Sequence, residues 1–351
     1  MMKIKYILLS IPFLLFLSCG KEKTKTIDLS GTWHFQIDSL DRGVSEKWFD
    51  KDLSDTISLP GSMAENGKGD DISVNTKWTG SMWNDSAWYK SPKWEKYRQP
   101  GNIKVSFWLS PNKVYTGPAW YQKKVDIPED WKGKAVNLHL ERAHWETTLW
   151  VDGGKVGMKN TLGTPHDYNL AEYLSPGEHT VTLRIDNRIK DIDPGVDAHS
   201  VSDNTQTNWN GIVGDIELRA MNPVYIESVQ LYPDVAQKKV VAKGTVRNAT
   251  GQPQMTKLTM NAKTSGDAGI LESKVKEMQI DTVGKFEMEY LMGEDPLLWD
   301  EFDPNLYTMH LKLESEAGNH KKEVVFGMRD FKANGKQFAV NGRPVFLRGT
   351  L

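Results

Sequence analysis

The chain has a single cysteine among its 351 residues, Cys19, so no disulfide can form within it. Helical patterning is equally scarce. No segment of helical length keeps apolar residues at sustained three-four spacing, which leaves an all-β chain in which sheet packs on sheet. Neither sign of charge is in excess, the formal net charge being -2, and no basic block is interleaved with aromatics. The electrostatic footprint of nucleic-acid recognition is therefore absent. The histidines (His34, His139, His144, His166, His179, His199, His310 and His320) show no HxH or HxxxH spacing, so they read as ordinary polar residues and no metal centre is expected. There is no GxSxG elbow and no phosphate-cradling glycine loop followed by a helix, so no cofactor is expected either.

Tryptophan is abundant, with 13 residues, twelve of them before position 210. Rings at that density suit large β cores. They also suit sugar binding, because a flat apolar ring covers the C–H face of a pyranose. The N-terminus is separable from the body. Lys3 and Lys5 form a basic start, the apolar run over 7–17 is too short to span a bilayer, and Ser18-Cys19-Gly20 is a small-residue cleavage site. The position of Cys19 directly after the apolar run resembles a bacterial lipobox, which predicts cleavage before Cys19 and its lipidation. The plainer reading is ordinary secretion with an incidental cysteine. Either way the chain is expected to be exported, to the periplasm or outer-membrane surface of a Gram-negative bacterium; on the lipidation reading, acyl chains on Cys19 are the membrane contact.

After a Lys/Thr linker over 20–26 the body alternates. Trp33, Phe35 and Ile37, then Val136, Leu138 and Leu140, then Val181, Leu183 and Ile185, each skip a polar neighbour and end at Gly, Pro or Asp. A first domain is expected over 27–222 and a second over 223–332. The second has strand-like runs at 226–231, 240–246, 258–262, 286–291, 307–313 and 324–326. Turn signals such as NATGQP and EAGN separate them, the pattern of an immunoglobulin-like sandwich without its cysteine pair. Near the C-terminus, Phe338 and Val340 run into Asn341-Gly342, the dipeptide that best tolerates a tight type I′ hairpin turn.

Two segments do not read as strands. Between Pro60 and Pro118 lies a long Trp-rich insertion containing KWTGSMWNDSAWYKSPKWEKY, either folded over a site or simply packed on the sandwich. Between His199 and Leu218, HSVSDNTQTNWNGIVGDIEL begins with amides and hydroxyls around Trp209 and ends in a strand. On composition it is either a plain loop or a ligand-facing one. Just before it, Asp191, Asp193 and Asp197 alternate as in calcium loops. The closing Glu of an EF-hand is missing, and Pro194-Gly195 forms turns in its own right, so no cation is assigned.

In order along the chain, LSGTWHF, ISLPGS, YTGPAWYQKKVDIP, TTLWVDGGKVG, YLSPGEHTVTLRIDN and NWNGIVGDIEL resemble successive landmarks of the sugar-binding domain of glycoside hydrolase family 2. LLWDEFDPNLYTMHLKL and FGMRDFK resemble later strands of that family's immunoglobulin-like domain, and FAVNGRPVFLRG the segment that opens its catalytic barrel. The resemblance implies a jelly-roll sugar-binding sandwich, an immunoglobulin-like sandwich and, over 333–351, a stub of a (β/α)8 barrel. It implies a retaining glycosidase acting on β-linked oligosaccharide or polysaccharide, with a Glu after Asn as acid/base and a second Glu as nucleophile. No Asn-Glu dipeptide occurs, so no catalytic residue is assigned and this chain is expected to be the inactive N-terminal portion of such an enzyme. The rival expectation is a stand-alone carbohydrate-binding surface lipoprotein. Family members use the loop before the last strand at the mouth of the active site, which makes Asp203, Asn204, Gln206, Asn208, Trp209 and Asn210 the candidate carbohydrate-binding residues. Their amides and carboxylate suit sugar hydroxyls, and Trp209 suits a ring face or the loop's own packing.

Overall fold

The computed structural model describes residues 25–79, 91–104, 111–190, 198, 201, 208–264 and 272–349. Cys19 and the segment before it, Asp191, Asp193, Asp197, His199, Asp203, Asn204 and Gln206 lie outside these described residues. The chain folds as two consecutive antiparallel β-sandwiches, as its alternation and missing helical period dictate.

In the first sandwich, one sheet runs Gly154–Lys159, Glu146–Val151, Gly177–Asp186, Pro118–Ile127, Gly31–Ile37, Asp55–Leu59. The facing sheet runs Lys25–Asp28, Gly211–Met221, Ala135–His144, His166–Asn169, and the short Gly61–Ser62 pairs with one end of Gly211–Met221. The alternating residues named from the sequence meet between these sheets. Trp33, Phe35, Leu138, Leu140, Val181, Leu183 and Ile185 all belong to one buried cluster. Their period of two puts every second side chain on the covered face, so a one-residue slip would expose the whole set. A smaller cluster forms on the outer face, where Leu53, Trp48 and Phe49 cover Trp120 and Trp150. Trp120 is fully buried, and its indole nitrogen donates to Asp38 at 2.9 Å. Of the tryptophans, Trp33, Trp120, Trp131, Trp145 and Trp150 are core residues, so much of the aromatic excess serves packing.

The first strand, Lys25–Asp28, begins inside the span read from the sequence as a linker. Lys25 and Thr26 already belong to a strand paired with Arg219 and Ala220, because Ile27 needs its neighbours' backbone in the ladder to reach the core cluster.

The second sandwich packs Val224–Asp234, Lys239–Asn248 and Val283–Leu291 against Lys274–Ile280, Gln254–Thr264, Tyr307–Ser315 and Gly318–Phe326. All six runs read from the sequence lie in these strands. Lys274–Ile280 is the one strand of the domain that its sequence does not announce. It is an edge strand, KVKEMQI, mostly exposed, and charged edges are how sheets avoid pairing with a second molecule.

A three-stranded meander, Phe331–Asn334, Gln337–Val340 and Arg343–Val345, follows. Asn341 and Gly342 take φ of 51° and 79°, joining Val340 to Arg343 by the two-residue turn that their sequence predicts. The expected division between 332 and 333 cuts through the first of these strands, whose ladder needs all its residues. Among the described residues this stretch is antiparallel sheet, with no parallel barrel strand in it.

Candidate functional site

The strand Gly177–Asp186 ends at one edge of the first sandwich and Gly211–Met221 begins there, so the connecting residues 187–210 leave and return at nearly one point. Asn187 holds that point closed. Its Oδ1 accepts from the Gly117 N–H at 2.8 Å, while Nδ2 donates to the Tyr115 carbonyl at 2.9 Å and to Asn208 Oδ1 and the Trp209 carbonyl, each at 3.1 Å. One buried amide thus ties both ends of the loop to the end of the Trp-rich insertion.

Beside it lies a charge network. Asp186, fully buried, accepts from Arg188 Nη2 at 2.6 Å, Arg184 Nη2 at 3.1 Å and Lys190 Nζ at 3.1 Å. Asp41 and Glu146 complete it, Asp41 against Arg184 and Arg188, Glu146 against Arg184 and Lys190. Burial alone would raise the Asp186 pKa. Hydrogen bonds from Arg188 and then Lys190 outweigh it and hold the carboxyl at about 2. Asp41 is lowered for the same reason, its burial being outweighed by bonds from Arg188 and Arg184. The bonds from Asp186 in turn raise Arg188, a permanent cation at the rim.

The residues named from the sequence divide. Asn210 is buried and saturated. Its Nδ2 donates to the Gly117 and Ile185 carbonyls, each at 3.0 Å, and its Oδ1 accepts the Tyr121 hydroxyl at 2.7 Å. It therefore pins the loop's return. Asn208 is also buried, and its Nδ2 donates to the Asn187 carbonyl at 3.0 Å and to Thr79 Oγ1 at 3.4 Å, which links the loop to the insertion. Trp209 is half-buried. Its ring lies 4.6 Å from that of His144, and its carbonyl accepts from His144 Nδ1 at 2.7 Å. Gly211 is where the return becomes strand. With φ of 144°, a Cβ there would sit 2.4 Å from the Gly61 carbonyl oxygen, so only glycine lets the two backbones approach.

Between the insertion and the loop's start is an open cleft of about 760 Å³, lined among others by Asp70, Asn75, Lys77, Trp78, Tyr115 and Arg188. The strand pair Asp70–Asp71 and Lys113–Val114 closes the base of the insertion beneath it. Tyr115 donates its hydroxyl to the Pro118 carbonyl at 2.7 Å, and burial, then the Asp38 and Asp186 charges, push its phenol well up. Carboxylate, amide, ammonium and guanidinium groups beside a half-buried indole can bind a polyhydroxylated ligand in a volume usual for small-molecule sites. Sequence reasoning passed over Asn187, Trp78, Tyr115 and Arg188 as site residues. The available signal was Asn187 and Arg188 directly after a strand that ends in a buried Asp.

Asp41 and Asp186, beside the cleft, are held as carboxylates by their arginine and lysine partners. Among the described residues, the acidic groups displaced from their ordinary range (Asp28, Asp41, Asp55, Asp186, Asp300 and Glu314) all move downward. A glycosidase acid requires the opposite shift.

The fold defines a tandem of two sandwiches, the second immunoglobulin-like, with a polar cleft at one edge of the first. Sequence models of a family coincide with both: "Glycosyl hydrolases family 2, sugar binding domain" matches residues 72–222, and "Glycosyl hydrolases family 2" matches residues 224–329. The chain belongs to glycosyl hydrolase family 2. A β-galactosidase of Thermoanaerobacter pseudethanolicus is 28% identical over 67% of this chain and 31% of its own length. A β-glucuronidase of Paenibacillus borealis is 22% identical over 92% of this chain and 48% of its own. Among solved structures, Bacteroides uniformis β-glucuronidase 2 superposes with a TM-score of 0.67 at 20% identity, covering 93% of this chain and 35% of that one. The chain thus spans about a third to a half of the proteins it matches.

Proposed function

We propose that this chain supplies the sugar-binding and immunoglobulin-like sandwiches of an exported β-glycosidase that acts on β-linked glycans. In this reading the reacting carboxylate pair comes from a catalytic domain outside the two sandwiches, and Cys19 is the lipid anchor. The observation that carries the reading is the cleft between the insertion and the clasped loop. All of its lining residues but Asp70 and Asp71 fall within the span matching the family's sugar-binding domain; it has a polar lining and a half-buried indole, and is flanked by carboxylates that are ion-paired with arginine and lysine. Such a cleft can orient a sugar, while a retaining mechanism needs one carboxyl kept protonated and one free to attack. Membership of the family and relatives named β-galactosidase and β-glucuronidase support a β-glycoside as the substrate class.

The experiment compares purified residues 20–351 with the same sandwiches joined to a family catalytic domain, on chromogenic β-galactoside and β-glucuronide. The sandwiches alone should leave both intact, and the joined protein should cleave at least one. Turnover by residues 20–351 that a single Asp or Glu substitution abolishes would overturn the reading.

A further inference from the structure

A second groove, of about 780 Å³, lies between the two sandwiches and shares no lining residue with the cleft above. One wall includes Lys159, Asp167 and Arg219, the other Arg247, His320 and Lys322. Most charges here are paired. Arg247 bonds to Glu227 at 2.7 Å, Arg219 to Glu217 at 2.6 Å, and Asp167 to His139 at 2.7 Å.

Three ammonium groups that line the groove, Lys159 on one wall and Lys321 and Lys322 on the other, have no carboxylate within ion-pair distance among the described residues. Lys322 donates to the Glu227 backbone carbonyl at 2.8 Å, and Lys159 faces the Tyr168 ring at 5.6 Å. Burial lowers the Lys322 pKa against the opposing pull of the Glu227 and Asp167 carboxylates. His320 is also displaced, by burial and then by Lys322, to about 4, so its ring is neutral near pH 7. Its Nδ1 accepts the Ile226 N–H at 3.2 Å, which leaves the proton on Nε2 as a further donor. Asn137 and Asn169 offer amides, and Met158 an exposed apolar surface. The groove is far larger than a bare anion needs, and clefts between domains are where small-molecule sites concentrate.

We propose that this interdomain groove binds an acidic saccharide, whose oxyanion, a uronate carboxylate or a sulfate ester, is held between Lys159 and Lys322. The site is independent of the glycosidase reading, because none of its residues belongs to the cleft or the loop. A ligand bridging the walls would also fix the angle between the two sandwiches.

Isothermal titration of the purified chain tests this with four probes: tetragalacturonate, a sulfated disaccharide, inorganic sulfate and neutral cellotetraose. One or both acidic saccharides should bind, more weakly as salt rises, and cellotetraose should not. The two acidic arms separate carboxylate from sulfate ester. Lys159→Gln and Lys322→Gln should each weaken binding by about tenfold or more, the loss of one charge-assisted contact, at unchanged melting temperature. Should Lys322→Gln not fold, Lys159→Gln on the opposite wall decides. The proposal is overturned if neither acidic saccharide binds, if cellotetraose or sulfate alone binds as well as they do, or if Lys159→Gln binds like the unaltered chain.

Discussion

Asn187 and Asn208 bond reciprocally across the neck of the loop. Asn187 Nδ2 donates to Asn208 Oδ1 at 3.1 Å, and Asn208 Nδ2 donates back to the Asn187 backbone carbonyl at 3.0 Å. Replacing Asn187 by Ala leaves the buried Gly117 N–H without its acceptor and takes a donor from the Tyr115 carbonyl, while Asn208 keeps its bond to the backbone carbonyl at that position. Each buried group left unpaired costs about 1–3 kcal/mol. Asn187→Ala should therefore lower stability by at least about 2 kcal/mol in urea unfolding. A loss below half that would show that water replaces the clasp.

Asp186 sets an acid limit. Its folded-state pKa of about 2 lies below the ordinary 3.8, so its contribution is fully present above about pH 4 and is lost as pH falls toward 2. The shift corresponds to about 2 kcal/mol. Unfolding measured between pH 5 and pH 2 should show that loss. Asp186→Asn should be less stable at pH 7 and lose about 2 kcal/mol less than the unaltered chain over the same range, the remaining slope belonging to Asp41 and the other lowered carboxyls; an unchanged acid slope in the variant would assign the whole loss to them.

The loop's part in catalysis is best read from Gln206. Asn208 and Asn210 are bonded within the fold, so removing either also weakens the scaffold. In a protein where these sandwiches are joined to a catalytic domain, Gln206→Ala should reduce kcat/KM by about tenfold or more at unchanged melting temperature, the loss of a hydrogen bond to the sugar. Unchanged kinetics would place this position outside the active site.

Cys19 should carry the anchor. Mass spectrometry of the mature N-terminus should find an acylated Cys19, and Cys19→Ala should move the protein from the membrane fraction to the soluble one. A mature chain beginning elsewhere, without lipid, would refute this.

The sequence by itself determined the class of fold, most strand positions and the Asn341-Gly342 hairpin. Those features depend on neighbours in the chain: a period of two assigns alternate residues to one face, and positive φ at two successive positions needs that dipeptide. The same locality limited it. Alternation cannot say that the outer face around Trp120 and Trp150 is covered too, by Leu53 and its neighbours, or that KVKEMQI forms an edge strand whose side chains mostly meet water. Among the candidate site residues, the family resemblance made Asn208 and Asn210 candidates for binding sugar. In the tertiary structure both bond within the fold, Asn210 to Gly117, Ile185 and Tyr121 and Asn208 to Asn187 and Thr79, partners that come within hydrogen-bonding distance only once distant segments pair. Lys159 and Lys322 belong to different domains, and only the packing of one sandwich against the other brings them to the same groove.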